Sequence, residues 1–219
     1  MIKNIIFDFD GVLVDSEILA AKAFCKYLNK RNLNFTEKEF SIYAGKKTIE
    51  VIDELSSKFH IKNVDEFYKD IMTIAHNIYS DELTPVLGAK KFLESNNLNC
   101  FIGSNSTKER IIAGLKKVNF ENFFPEEKIF SFDMVNKPKP NPDVYLLAIE
   151  SHKLIKEETI VIEDSAIGVR AGVLAGVKVV GITAGGHWNI ERSTQELIDA
   201  GASLLINNYN NLLDQIYKI

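Results

Sequence analysis

Two kinds of hydrophobic spacing divide this chain. Up to residue 14, and again from about residue 84, short apolar runs alternate with segments of helical spacing. Between them, apolar residues recur only at helical spacing. The first run, Ile5-Ile6-Phe7-Asp8-Phe9-Asp10-Gly11, reads as a buried parallel strand that ends in acids and a glycine. Ile18, Leu19, Ala23, Phe24, Tyr27 and Leu28 then predict a helix to about Arg31, capped by Asp15 or Ser16. Thr36-Glu37-Lys38-Glu39 is a capping-box pattern opening a second helix through Phe40 and Tyr43. After the break at Gly45-Lys46-Lys47, Thr48 is placed to cap a third helix carrying Val51, Ile52 and Leu55. Asn63 to Leu83 predicts a fourth, with Phe67, Ile71, Ile74 and Ile78 on one face. A connection between a strand and its helix is usually a few residues long. Residues 15–83 therefore read as an inserted helical module.

From Leu87 the alternation is regular. Strands are expected over residues 99–103, 128–132, 159–162, 177–183 and 203–206. Helices are expected over 89–95, after the capping stretch Ser104-Asn105-Ser106-Thr107, from Pro142, over 166–175 and near 194–199, with a short last one. Such alternation implies an α/β fold with a doubly wound parallel sheet. The expected division is a core domain of residues 1–14 and 84–219 with an all-helical domain, 15–83, inserted after the first strand.

Composition narrows the class without naming a function. A 46% hydrophobic share with 26% charged residues over 219 positions suits a soluble globular chain with a sizeable core. A net charge of −4 with no basic block argues against nucleic acid as a partner. No apolar stretch is long enough to span a bilayer, and the first one is broken by Asp8, so neither a membrane anchor nor a signal peptide is expected. Cys25 and Cys100 lie in apolar segments without metal-ligand spacing and read as free thiols in a reducing compartment. A cytoplasmic monomer is the expectation.

The chemistry should collect where strands end, because ligands of such sheets bind outside the carboxyl ends. Asp8 and Asp10, two apart on an extended chain, would point to one side and repel each other unless something offsets them. Glu163-Asp164 ends the clearest strand, and Ser104-Asn105 ends another. Lys137 and Lys139, in a proline-rich loop, could reach the same edge. Asp8, Asp10 and Asp164 would make an oxygen-rich pocket suited to Mg2+. A lysine and a hydroxyl beside it are what a phosphoryl group requires. His187 and Trp188, after a further strand, could flank the site.

These stretches resemble, in order, the four signatures of the haloacid dehalogenase superfamily of phosphohydrolases. The first is Asp8-Phe9-Asp10-Gly11-Val12-Leu13-Val14-Asp15-Ser16-Glu17, the second Gly103-Ser104-Asn105-Ser106, and the third Lys139-Pro140-Asn141-Pro142-Asp143. The fourth is Val161-Ile162-Glu163-Asp164-Ser165-Ala166-Ile167-Gly168-Val169. The helical insertion matches the cap domain of the β-phosphoglucomutase-like branch. The resemblance implies a Mg2+-dependent phosphatase acting on a small phosphorylated metabolite, a sugar or polyol phosphate, through an aspartyl-phosphate. Asp8 would be the nucleophile and Asp10 the acid–base. Asp8, the Asp10 carbonyl and Asp164 would hold Mg2+, with Glu163 supporting it directly or through water. Ser104, Asn105 and Lys139 would bind phosphate, Lys139 being preferred to Lys137 because Pro-x-Pro-Asp follows it. Gly45, Lys46 and Lys47 resemble the cap's substrate-facing loop. A sugar phosphomutase of the β-phosphoglucomutase kind shares the core and is the alternative. Against it, that enzyme has a histidine where this chain has Ala20, and an arginine near Lys47 or Thr48.

Overall fold

β1 (Asn4–Phe7) lies in the middle of a six-stranded, wholly parallel sheet in the computed structural model, which describes residues 1–43, 48–188, 192–210 and 212–218. Along the chain it is followed by α1 (Glu17–Asn29), α2 (Glu37–Phe40), α3 (Thr48–Phe59), α4 (Val64–Glu82), α5 (Ala89–Ser95) and β2 (Asn99–Ser104). Then come α6 (Lys108–Lys117), β3 (Ile129–Ser131), α7 (Asp143–Ser151), β4 (Thr159–Glu163) and α8 (Ala166–Ala175). β5 (Lys178–Ile182), α9 (Gln195–Asp199), β6 (Leu204–Ile206) and α10 (Leu212–Ile216) complete it. Gly45, Lys46 and Lys47 lie outside the described residues.

The strand order is β3-β2-β1-β4-β5-β6. Winding proceeds outward from β1 on one side, then restarts beside β1 with β4 and proceeds the other way. That reversal is the doubly wound arrangement, and it opens a crevice at the carboxyl ends of β1 and β4. Register sets what points into it. Ile6 pairs with Phe101 of β2 and Val161 of β4, and Val161 pairs with Val179 of β5. These four pack on one face against Val144, Tyr145 and Ala148 of α7 and Val169 and Ala171 of α8. By the period of two, Asp8 and Glu163 continue that same face beyond Ile6 and Val161. The opposite face takes Phe7, whose ring meets Phe92 of α5 and Phe124 edge-on at 6.1 and 6.2 Å.

The chain forms two compact units, residues 1–15 with 84–219, and residues 16–83. The second is built on aromatic packing. Tyr27 stacks on Phe67 at 4.4 Å, and Phe24 stacks on Phe40 at 5.0 Å and meets Phe67 edge-on. The capping box is made in full: Glu39 N donates to Thr36 Oγ1 at 3.2 Å, and Thr36 N to Glu39 Oε2 at 2.9 Å. Asn63 caps α4, accepting from Glu66 N. α1 stops at Asn29, short of Arg31, because the Asn29 amide binds both the N–H and the carbonyl of Phe35 and turns the chain back. Among the described residues no helix is long and apolar enough to cross a membrane.

Candidate active site

Beyond β1 the chain does not stay extended. Asp8 N still bonds to Ile162 O of β4, but Leu13 N and Val14 N both return to Phe9 O. The tight loop this closes needs a left-handed residue, and Gly11 supplies it with φ of 76°. Asp8 and Asp10 consequently serve different partners.

Asp8 is buried beside Lys139. The Lys139 Nζ donates to Asp8 Oδ1 and to Glu163 Oε1, each at 2.6 Å, with the lysine side chain only 3% exposed. Lys137 of the same loop is exposed. Burial works against the Lys139 ammonium, but Asp8 and Glu163 outweigh it and hold its pKa above the ordinary lysine range. Burial pushes Asp8 well above the usual carboxylate range; Lys139 opposes this, while Glu163 and Asp164 add to it. Asn105 grips the same lysine by its main chain. Its Oδ1 accepts from Lys139 N at 2.9 Å and its Nδ2 donates to Lys139 O at 3.3 Å. This amide therefore helps position Lys139.

Glu163 is similarly occupied. Its Oε1 accepts from Lys139 Nζ and from Tyr145 OH, and its Oε2 from Asp164 N, Ser165 N and Ser165 Oγ. A carboxylate has about four lone-pair positions, so the protein itself saturates this one. Ser165 caps α8 at the same time, accepting from Gly168 N at 3.1 Å. Position 168 has to be glycine, since a Cβ there would overlap the Glu163 carboxylate.

Asp10 sits at the rim, its side chain 19% exposed, where Ser106 Oγ donates to Oδ2 and Arg110 Nη2 to Oδ1 at 3.2 Å. Arg110 lies on α6, whose cap is Thr107. Ser104, at the end of β2, is buried and accepts from Ser106 N at 3.0 Å. Asp164 completes the group, and His187 Nε2 is 3.0 Å from its Oδ2. Burial and the neighbouring Glu163 push Asp164 well above the usual carboxylate range, with Arg192 and Lys139 opposing.

Ligand oxygens of Asp8, Glu163 and Asp164 lie within 4.8 Å of one another. Among the described residues, three buried carboxylates share one buried cation, Lys139, an imbalance that an oxygen-seeking divalent cation would offset. The donor set fits such a cation, and Glu163 is the member whose oxygens already accept the most hydrogen bonds. Sequence reasoning did not find Tyr145, Ser106 or Arg110. Tyr145 has the pattern of a core aromatic on α7, and Ser106 and Arg110 read as parts of an ordinary helix start.

A family model described as haloacid dehalogenase-like hydrolase matches residues 5–182. The phosphorylated carbohydrates phosphatase of Thermotoga maritima is 26% identical over 209 residues, covering 93% of this chain and 94% of that protein. The 6-phosphogluconate phosphatase of Escherichia coli K12 is 26% identical over 191 residues, covering 85% of each. A haloacid dehalogenase family hydrolase from Deinococcus radiodurans, solved with bound phosphate and sodium, superposes with a TM-score of 0.86 at 26% identity, covering 99% of this chain and 96% of that one. With the ordered motifs, the doubly wound sheet and a match across most of its length, this chain is an enzyme that belongs to the haloacid dehalogenase-like hydrolases.

Proposed function

We propose that the protein is a Mg2+-dependent phosphatase that hydrolyses a small phosphorylated metabolite, a sugar or polyol phosphate, through an aspartyl-phosphate. The observation that carries the reading is the contrast between the two acids of the first motif. Asp8 is buried and its Oδ1 is held by Lys139, whereas Asp10 stands at the rim between a hydroxyl and a guanidinium. A nucleophile needs a fixed direction of attack, and an acid–base needs access to a proton. The names of the two phosphatase relatives support the carbohydrate class, and the phosphate in the Deinococcus protein supports a phosphoryl site on this fold.

Asp8 attacks phosphorus, and the bond to the ester oxygen breaks as the carboxylate–phosphorus bond forms. Asp10 gives its proton to the departing alkoxide, then takes one from the water that attacks the aspartyl-phosphate and frees inorganic phosphate. Lys139, held by Glu163 and Asn105, offsets charge on the transferring group, and the Ser104 hydroxyl bonds one of its oxygens. Asp8 and Asp164, with the Asp10 carbonyl, would hold Mg2+, which when bound screens phosphate charge from the attacking carboxylate. Glu163 acts through Lys139 and not as a ligand, because its oxygens are already filled.

Asp8→Asn tests the reading. Release of phosphate from p-nitrophenyl phosphate in Mg2+ should fall by about 10^4-fold or more, since the reaction loses its nucleophile. Full activity in that variant would end the mechanism.

A further inference from the structure

The loop after β5 is fastened to the loop after β1. Gly186 N donates to Asp15 Oδ1 at 3.0 Å, so Asp15, one of the two residues expected to cap α1, is engaged here, and Ser16 takes the N-cap position. Next to this tie, the His187 ring is carried onto Asp164, with Nε2 3.0 Å from Oδ2 and both side chains 8% exposed. Two glycines leave room for it. A Cβ on Gly185 would stand 2.8 Å from ring atoms Cε1 and Nδ1, and one on Gly11 would stand 3.0 Å from Cε1. The Trp188 ring lies 5.8 Å away between centroids, and Arg192 covers the Trp188 face at 3.8 Å. So much local construction around one imidazole points to a task for it.

The task is not ligation of the same cation. Among the described residues, the groups whose ligand atoms converge are Asp8, Glu163 and Asp164, without His187. A carboxylate with one oxygen held by an N–H loses its freedom to rotate and keeps the other oxygen for a cation. Partners of this kind behind metal ligands govern affinity. We infer that His187 is a positioning residue for the metal site, its Nε2–H holding Asp164 in the orientation that binds the cation. The neutral tautomer carrying that proton does this as well as the cationic ring. The inference rests on Asp164 being a metal ligand, as proposed above.

The test is metal binding by the protein without substrate, following Mg2+ by calorimetry and free Mn2+ by its electron paramagnetic resonance signal. His187→Ala should bind either ion about 10- to 100-fold more weakly than the parent. His187→Met, which keeps much of the ring's volume but has no N–H, should lose affinity equally and guards against a folding defect in the alanine variant. His187→Gln, whose amide N–H can approach the same oxygen, should recover part of it. A merely structural histidine would lower the melting temperature and leave the metal dissociation constant unmoved. Affinities within twofold of the parent for the alanine and methionine variants would overturn the inference while leaving the phosphatase reading intact. Failure of glutamine to recover any affinity would also overturn it. A parent protein that binds neither ion would remove the metal site itself, and the inference with it.

Discussion

The sheet unit and the helical unit solve the problem of an interior in opposite ways. Every buried charged side chain among the described residues, namely Asp8, Lys139, Glu163 and Asp164, belongs to the sheet unit. The helical unit buries Ser16 and Ser56 as its polar side chains and otherwise fills its interior with apolar groups, chiefly the rings of Phe24, Tyr27, Phe35, Phe40 and Phe67. Taking ions out of water costs several kcal/mol each unless they are paired and hydrogen-bonded. The sheet unit accepts that cost at a single edge. Desolvated charge gathered in one place marks a candidate site, while a ring-packed interior contributes burial and packing.

The largest expected effect comes from breaking the charge balance. Lys139→Met leaves the Asp8 and Glu163 carboxylates buried without their cation, which should cost about 3–5 kcal/mol in urea unfolding. Turnover should fall by about 10^3-fold, because the transferring group loses its main positive neighbour. Adding Glu163→Gln to Lys139→Met should recover much of the stability and none of the turnover. A lysine variant as stable as its parent would show that these charges are not in balance and would dissolve the contrast between the units.

How far the site was readable in the sequence follows the same division between local and distant contacts. Asp8 and Glu163-Asp164 each end an apolar run, so their place at the strand ends was legible from spacing. Thr36 and Glu39 announce a cap that depends on nothing beyond four residues. Lys139 is preferred to Lys137 only through the resemblance of the Pro-x-Pro-Asp after it, and its burial between two carboxylates is not legible in the sequence at all. Asn105 reads as part of a cap and is in fact a clamp on Lys139, 34 positions away. Ser106 and Arg110 reach Asp10 across 96 and 100 positions. No periodicity records such meetings; they follow from the order in which strands are laid beside β1. The grip of Asp15 on Gly186, 171 positions apart, was hidden for the same reason.

A smaller total effect is expected in the helical unit. Phe67 is fully buried, stacked on Tyr27 and edge-on to Phe24. Phe67→Ala should cost about 3–5 kcal/mol, through lost burial and the cavity left behind. It should leave Mg2+ affinity within twofold of the parent, because every carboxylate of the candidate site comes from the sheet unit. Weakened metal binding in this variant would mean that the two units do not divide their tasks as their interiors suggest.

The smallest effect measures how tightly each interior is closed, and each unit carries one probe. Cys25 on α1 and Cys100 on β2 are free and buried. Burial pushes each thiol from an ordinary 9.0 up to about 11. In the window between those values the folded chain holds more thiol protons than the unfolded chain. Stability should therefore be whole below about pH 9 and decline as pH rises toward 11, seen as a falling urea midpoint. At pH 8 a thiol of that pKa is ionised in roughly one molecule per thousand. Both cysteines should then react with an aromatic disulfide reagent far more slowly than a free thiol, at rates set by local opening. Equal slowness would mean that rings and sheet close their interiors equally well. A Cys25 that reacts much faster than Cys100 would show that the helical unit opens first, and that the interior without buried charge is the looser of the two.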